Sequence, residues 1–193
     1  MLSVNSCSLA LGLPSRNNDS IEIANLPYRL ESIKEAIATL TPPNETVYLH
    51  GSNSASLKTF SDPHQEHTRG HLLSKADLLS EGISVESGES TSEIFTEAYD
   101  SPHTNVSAYH YRHGNENFVI NKVSDYCTYN CSDERYPVLY VISEKADFED
   151  VGYGESQIPR ISPEHILGIL APAFNLPDVR SILSGRGIAS GAL

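Results

Sequence analysis

The chain has 193 residues, a hydrophobic fraction of 39% and a mean hydropathy of -0.29, which is typical of one folded domain and argues against a membrane protein. Its formal net charge of -12 disfavours partners with dense phosphate arrays, such as DNA, RNA or an anionic membrane. Ten Tyr, five Phe and no Trp predict a core whose phenol groups need hydrogen-bond partners.

The N-terminal part of the chain predicts a disordered segment, a helix and a strand. Residues 1–25 are rich in Ser and Asn and lack the basic start and long apolar run of a signal peptide, so we expect them to be disordered. Apolar residues at three- and four-residue steps then predict a helix that ends before Pro42. These residues are Leu26, Leu30, Ile33, Ile37 and Leu40. Thr46–His50 follows as a short strand, bounded by Gly51.

The middle of the chain predicts two further helices and an acidic surface. A helix begins at about Ser54, and a polar loop spans residues 61–70. A second helix stops at Gly82. Its apolar face consists of Leu72, Leu73, Ala76 and Leu79. No Lys or Arg occurs between Lys75 and Arg112, which indicates a solvated acidic face or a docking surface for a basic partner.

The second half of the chain is dominated by predicted strands. Asn105–Tyr111 alternates and places Ser107, Tyr109 and Tyr111 on one face. The apolar run Val138–Ser143 is typical of a central strand that is buried on both faces. The remaining predicted elements are a short strand through Glu155–Ile161 and a final helix over Pro177–Leu183.

Short strands that follow grouped helices favour an α+β fold with a mixed, mostly antiparallel split sheet and flanking helices over a doubly wound fold. We expect a single domain over residues 26–185. Residues 186–193 have little apolar pattern to hold them, so a flexible tail is expected there.

Two separate segments carry a family resemblance. Val47-Tyr-Leu-His-Gly-Ser52 resembles the His-Gly-Ser/Thr strand end of the ADP-ribosyltransferase superfamily, in the branch of the poly(ADP-ribose) polymerases and several bacterial toxins and effectors. Pro137–Ser143, Gly154-Glu155 and Ile161-Ser-Pro-Glu-His-Ile-Leu-Gly168 resemble its strand, catalytic Glu and closing segment. The resemblance covers about residues 47–170 and implies an ADP-ribosyltransferase-like fold.

The resemblance also implies a site and a substrate, NAD⁺. Its His-Tyr-Glu triad corresponds to His50, to either Tyr109 or Tyr111, and to Glu155, while NAD binding falls on His50, Gly51, Ser52 and Ser107. A Gly after the His lets the backbone approach a flat carboxamide, and a carboxylate favours positive charge on the departing sugar. Tyr153 stands where many arginine-modifying toxins carry Gln or Glu, which disfavours arginine as the acceptor.

Other patterns in the sequence give weaker evidence for a chemical role. Ser90-Thr-Ser92 resembles a toxin motif, but no suitably placed Arg precedes the first strand, and a capping or loop role is favoured. Cys127 and Cys131 without a second pair predict no metal site. The histidines His64, His67 and His71 have helical spacing, but Pro63 and Gly70 interrupt a helix, so no metal is expected there either.

Two further function classes stay open beside the transferase. One is a non-catalytic domain that keeps the fold and binds a protein through its acidic surface. The other is an RNA 2′-phosphotransferase-like enzyme, which the scarcity of basic residues disfavours. The Ser/Asn-rich start resembles export signals of secreted effectors, so we expect synthesis in the cytoplasm, secretion into a host cell without a cleaved signal peptide, and a protein acceptor there. The sequence does not define an oligomeric state.

Overall fold

The computed structural model describes residues 19–43, 45–61, 69–83, 104–129 and 135–193. None of the helices in these ranges is both long enough and apolar enough to span a membrane. Most of the predicted acidic segment and the Ser90-Thr-Ser92 motif lie outside the described residues.

The core of the fold is a seven-stranded sheet in the order β5-β6-β3-β1-β4-β8-β9. Every neighbouring pair is antiparallel except β8 and β9, which run parallel. Strands β2 and β7 form a separate antiparallel pair. The strands are β1 Val47–Asn53, β2 Leu72–Leu73, β3 Val106–Tyr111, β4 Pro137–Ser143, β5 Glu149–Gly152, β6 Glu155–Ile158, β7 Arg160–Ile161, β8 Ile166–Ala171 and β9 Ala189–Ala192. The predicted α+β fold with a mixed, mostly antiparallel sheet is confirmed.

The helices flank this sheet. The described α-helices are α1 Asp19–Leu40, α2 Lys58–Ser61, α3 Lys75–Ser80, α4 Glu116–Tyr129 and α5 Leu176–Ile182. Helices α1 and α4 cover one face, where Ile33 and Ile37 of α1 and Val119 of α4 pack against Leu49. The other face packs against α2, α5 and the β2–β7 pair in a second core cluster that contains Phe60, Val179 and Ile161.

Strand β4 is an inner strand of the sheet, between β1 and β8, and all of its residues are buried. Its β-branched and aliphatic run suits a strand that packs on both faces, so the prediction for Val138–Ser143 is confirmed. β1 pairs with β4 along its whole length, from Val47↔Ser143 to Asn53↔Pro137. The predicted first strand is therefore correct but continues through Gly51.

Local structure differs from the sequence prediction around two caps. Leu72 and Leu73 form strand β2 instead of a helix, because they pair with β7, and α3 begins only after Ser74, whose side chain accepts from Asp77 N at 3.1 Å. Asn53, and not Ser54, caps the helical turn after β1 by accepting from Ala55 N at 2.9 Å. The stop at Gly82 is confirmed by its φ of +74°.

Both ends of the chain are more ordered than the sequence indicated. Helix α1 already begins at Asp19, so the boundary at residue 25 is wrong, and residues 1–18 lie outside the described ones. The tail expected over residues 186–193 is also wrong. It forms β9, which pairs in parallel with β8, and Leu193 N donates to Ala171 O at 2.9 Å.

Candidate functional site

The sheet forks between β1 and β3. Their register ends at Leu49↔Tyr109. Beyond this point β1 stays paired with β4 as far as Asn53, while β3 stays paired with β6 as far as Val106↔Ile158. The second half of β1 and the first half of β3 therefore diverge. The backbone on the two sides of this gap makes no β1–β3 ladder pairs.

His50 lies at the start of the fork. Its Nδ1 is 2.7 Å from the carbonyl oxygen of Ser107, across the gap on β3. A carbonyl oxygen can only accept a hydrogen bond, so Nδ1 carries the proton in this contact. In the neutral ring the lone pair then lies on Nε2, which is the tautomer needed to accept from a ligand hydroxyl.

Burial lowers the pKa of His50 below its ordinary value of 6.5, and the hydrogen bond to the Ser107 carbonyl opposes this effect without cancelling it. The ring is partly buried and sits 5.9 Å, centroid to centroid, from that of the fully buried Tyr140. His50 is therefore neutral at pH 7, which keeps Nε2 available as an acceptor.

Glu155 is held by two donors, one on each carboxylate oxygen. Tyr109 Oη donates to Oε2 at 3.4 Å, and Gln157 Nε2 donates to Oε1 at 3.2 Å. Gln157 is itself fixed by Asn105, whose Nδ2 donates to Gln157 Oε1 at 3.3 Å. The partly buried carboxylate is thus oriented by the Tyr109 hydroxyl and by the Gln157 amide, which the Asn105 amide holds in turn.

Neither Gln157 nor Asn105 is among the site residues that the sequence predicts. The signal for Gln157 was present, since residues two apart on a strand share a face and Gln157 follows Glu155 by two. Asn105 lies just before β3, and only the register of β3 against β6 shows that it reaches Gln157.

The structure brings the two halves of the resemblance together. Tyr109 is the register partner of Leu49, which precedes His50, and also of Glu155 on the other side. Because β1 and β6 are separated by one strand, their axes lie about 10 Å apart at the usual strand spacing. The sequence also predicts that Val47–Leu49 and Val138–Ile142 lie in one sheet and that His50 and Glu155 open into one cleft. The shared sheet is confirmed, whereas the two side chains occupy different faces of it.

His50 and Glu155 leave the sheet on opposite faces. Register partners share a face, so Leu49, Tyr109 and Glu155 point to one side, and His50 as the next residue of β1 points to the other. The two side chains therefore border the fork from its two faces.

Of the two candidate tyrosines, only Tyr109 meets Glu155. Its ring is 5% exposed and packs in the core under α1 and α4, so its hydroxyl, and not its ring face, is directed at the site. Tyr111 pairs with Val47 at the other end of the β1–β3 ladder. Burial, and then the negative charges of Glu116 and Glu31, raise its pKa to about 12, so it stays a neutral phenol.

The remaining predicted site residues line the fork. Gly51 and Ser52 are partly buried and lie on β1 beyond the last β1–β3 pair, opposite Leu139 and Val138 of β4. Ser107 lies on the facing strand, where its carbonyl binds His50 and its side chain shares a face with Tyr109. Two of these residues from distant segments, His50 and Ser107, are in hydrogen-bond contact, and Gly51 and Ser52 follow His50 on the same strand.

The described ranges contain no group of three or more His, Cys, Asp or Glu residues that could hold a metal ion. His71 buries its Nδ1 without a hydrogen-bond partner. Its two neighbours in the predicted pattern, His64 and His67, lie outside the described residues, as does Cys131.

The fold and the site define an α+β protein with a forked, mostly antiparallel sheet and an oriented carboxylate beside the fork. No protein-family model, no curated protein and no solved structure matches the chain. The motifs and the geometry are therefore the grounds for the functional proposal.

Proposed function

We propose that this protein is an NAD⁺-dependent mono-ADP-ribosyltransferase with an ADP-ribosyltransferase-like fold, and that NAD⁺ binds at the β1–β3 fork. One observation carries the proposal. His50 and Glu155, which the resemblance assigns to catalysis from two short motifs far apart in sequence, lie on strands that flank β3, on which Tyr109 is paired to both strands. The two motifs thus lie on strands that are separated only by β3, although the side chains of His50 and Glu155 point to opposite faces of the sheet.

In the proposed complex, NAD⁺ would be bound by groups at the fork. The nicotinamide carboxamide would bind to the backbone of Gly51, where the absence of a side chain permits close approach. His50 Nε2 would accept a hydrogen bond from a ribose hydroxyl. The negative charge of Glu155, fixed by Tyr109 and Gln157, would stabilise positive charge on the ribose as the bond to nicotinamide lengthens.

The reaction is a substitution at the anomeric carbon of the nicotinamide ribose. The glycosidic C–N bond breaks, and nicotinamide leaves as a neutral molecule with the bonding electron pair. An acceptor nucleophile forms the new bond to the same carbon and releases its proton to solvent. No oxidation or reduction occurs, so NAD⁺ is a substrate here.

We extend the proposal to the setting of the activity. The Ser/Asn-rich start supports a bacterial effector or toxin that is made in the cytoplasm, is secreted and modifies a host protein. The net charge of -12 supports a protein acceptor over a nucleic acid.

One observation favours the second candidate, a non-catalytic domain that binds a protein partner. The ring of Tyr109 is buried, so this residue offers no face on which nicotinamide could stack. In that case the fork would be a remnant of the fold, and NAD⁺ would not be cleaved.

The test is to titrate the ¹⁵N-labelled protein with NAD⁺ and to quantify nicotinamide release by chromatography. We expect saturable shifts of the amides of Gly51, Ser52 and Ser107, with Gly82 at the end of α3 as an unshifted control, together with nicotinamide release. Shifts without release would support the non-catalytic domain. The absence of both at millimolar NAD⁺ would contradict the transferase.

A further inference from the structure

A polar cleft of about 470 Å³ opens at the surface beside α2 and α5. These helices cover the core cluster that contains Phe60. It is lined by the end of α2 at Phe60 and Ser61, by the residues around the end of α5, and by the two arginines Arg69 and Arg186. A volume of this size is in the range of small-molecule sites. None of the residues assigned to the fork lines it.

The Arg186 guanidinium is fixed in place. Its Nη2 donates to the Phe60 carbonyl, and its Cζ lies 6.0 Å from the centroid of the Phe60 ring. A Cβ at Gly70 would lie 3.1 Å from Arg186 Nη1, so Gly70 leaves the space that the guanidinium occupies. A planar donor held in this way is pre-organised for an oxyanion, since little side-chain entropy is lost on binding.

The cleft concentrates positive charge in an acidic protein. Among the described residues, no carboxylate lies within ion-pair distance of Arg69 or Arg186, although the chain has a net charge of -12. Burial, and then the charge of Arg69, lower the pKa of Arg186. Two neighbouring cations with no carboxylate at ion-pair distance in the described part of the chain raise the free energy of the empty cleft, and a bound anion would relieve this cost.

We propose that the cleft is a binding site for a phosphate-bearing small molecule, with Arg69 and Arg186 as the ligands of the phosphate. A phosphate carries up to two negative charges, matches two guanidinium groups and accepts several hydrogen bonds at once. Ser181 and Ser184 add hydroxyl groups to the same wall. The cleft lies at the carboxyl end of the short helix α5, whose partial negative charge of about one half is outweighed by two full positive charges.

The proposal does not rest on the transferase activity, since the phosphate could be the diphosphate of a nucleotide or a phosphate monoester. The test is calorimetric titration of the full chain with pyrophosphate at low salt. Arg69→Gln is the test variant, because Arg69 is exposed and its removal leaves the anchored Arg186 in place. Arg112→Gln, which removes an exposed charge near the end of β3, is the matched control.

We expect pyrophosphate to bind the wild-type protein, Arg69→Gln to weaken binding by about 10-fold or more, and Arg112→Gln to change it by less than about 2-fold. Displacement of pyrophosphate by ADP-ribose would assign the cleft to a nucleotide diphosphate, and displacement by O-phosphoserine alone would assign it to a monoester. No binding at about 10 mM pyrophosphate, or equal affinities of the wild type and Arg69→Gln, would overturn the proposal.

Discussion

At the scale of single residues, His50 combines burial with a single backbone contact. Its ring is neutral in the fold because burial lowers its pKa, and the Ser107 carbonyl fixes its tautomer. The protonation of this ring therefore links the stability of the protein to pH.

Stability should fall in acid because of His50. Below about pH 6.5 the unfolded chain protonates this histidine while the folded protein resists, so the free energy of unfolding decreases as the pH falls, by at most about 1.4 kcal/mol per pH unit. The His50→Gln variant lacks this titration, so its loss of stability between pH 7.5 and pH 5.5 should be smaller. Urea denaturation at the two pH values checks this. Equal losses in both proteins would show that His50 is not responsible.

At the scale of elements, the contact between α1 and β8 depends on one glycine. A Cβ at Gly168 would come within 2.5 Å of Leu40 Cδ1 and 2.9 Å of Leu40 Cδ2. The Leu40 side chain at the end of the helix thus packs directly on the backbone of the strand at Gly168.

Gly168→Ala should destabilise the protein by about 1–3 kcal/mol, because the added methyl group must displace Leu40. The double variant Gly168→Ala/Leu40→Ala should lose less than the sum of the two single changes, since the shorter side chain makes room. Thermal and urea unfolding of the four proteins measure this coupling. Strict additivity would mean that Leu40 and Gly168 do not share the contact.

The sequence predicted the elements whose pattern is local. Val138–Ser143 is apolar at nearly every position and β1 alternates, so both strands were found without knowledge of their partners. Leu72–Leu73 was assigned to a helix because two adjacent leucines fit either period, and only pairing with β7, far along the chain, makes them a strand.

The candidate site was predictable in its parts and not in its arrangement. Short motifs named His50 and Glu155, whereas the choice of Tyr109 over Tyr111 needed the register of β3 against β6. The small residues of β9 carry no strand pattern. Gly191 of this strand leaves space for the side chain of Leu170, whose Cδ2 would lie 2.8 Å from a Cβ at that position. These features arise from contacts between distant segments, which no local pattern encodes.

At the scale of the whole molecule, strand β9 forms one edge of the sheet. β9 pairs with β8, so residues 189–192 are part of the fold. Deletion of residues 188–193 should therefore lower the free energy of unfolding by about 2–4 kcal/mol, through the lost backbone hydrogen bonds.

Deletion of residues 1–18 is the matched control for this truncation. The sequence predicts no packed structure there, so stability should stay within about 0.5 kcal/mol of the full chain. Chemical denaturation of the three proteins compares them. A C-terminal deletion as stable as the full chain would contradict the role of β9.

The central claim is that the fork and its oriented carboxylate cleave NAD⁺, and the direct measurement is the rate of nicotinamide release by Glu155→Gln. The amide keeps the shape and loses the charge, so kcat should fall by about 100-fold or more, while the Kd for NAD⁺ should change by less than about 3-fold. Glu149→Gln, at an exposed position on the neighbouring strand β5, should keep the wild-type rate. Nicotinamide release by Glu155→Gln at the wild-type rate, or an equal loss in Glu149→Gln, would contradict the claim.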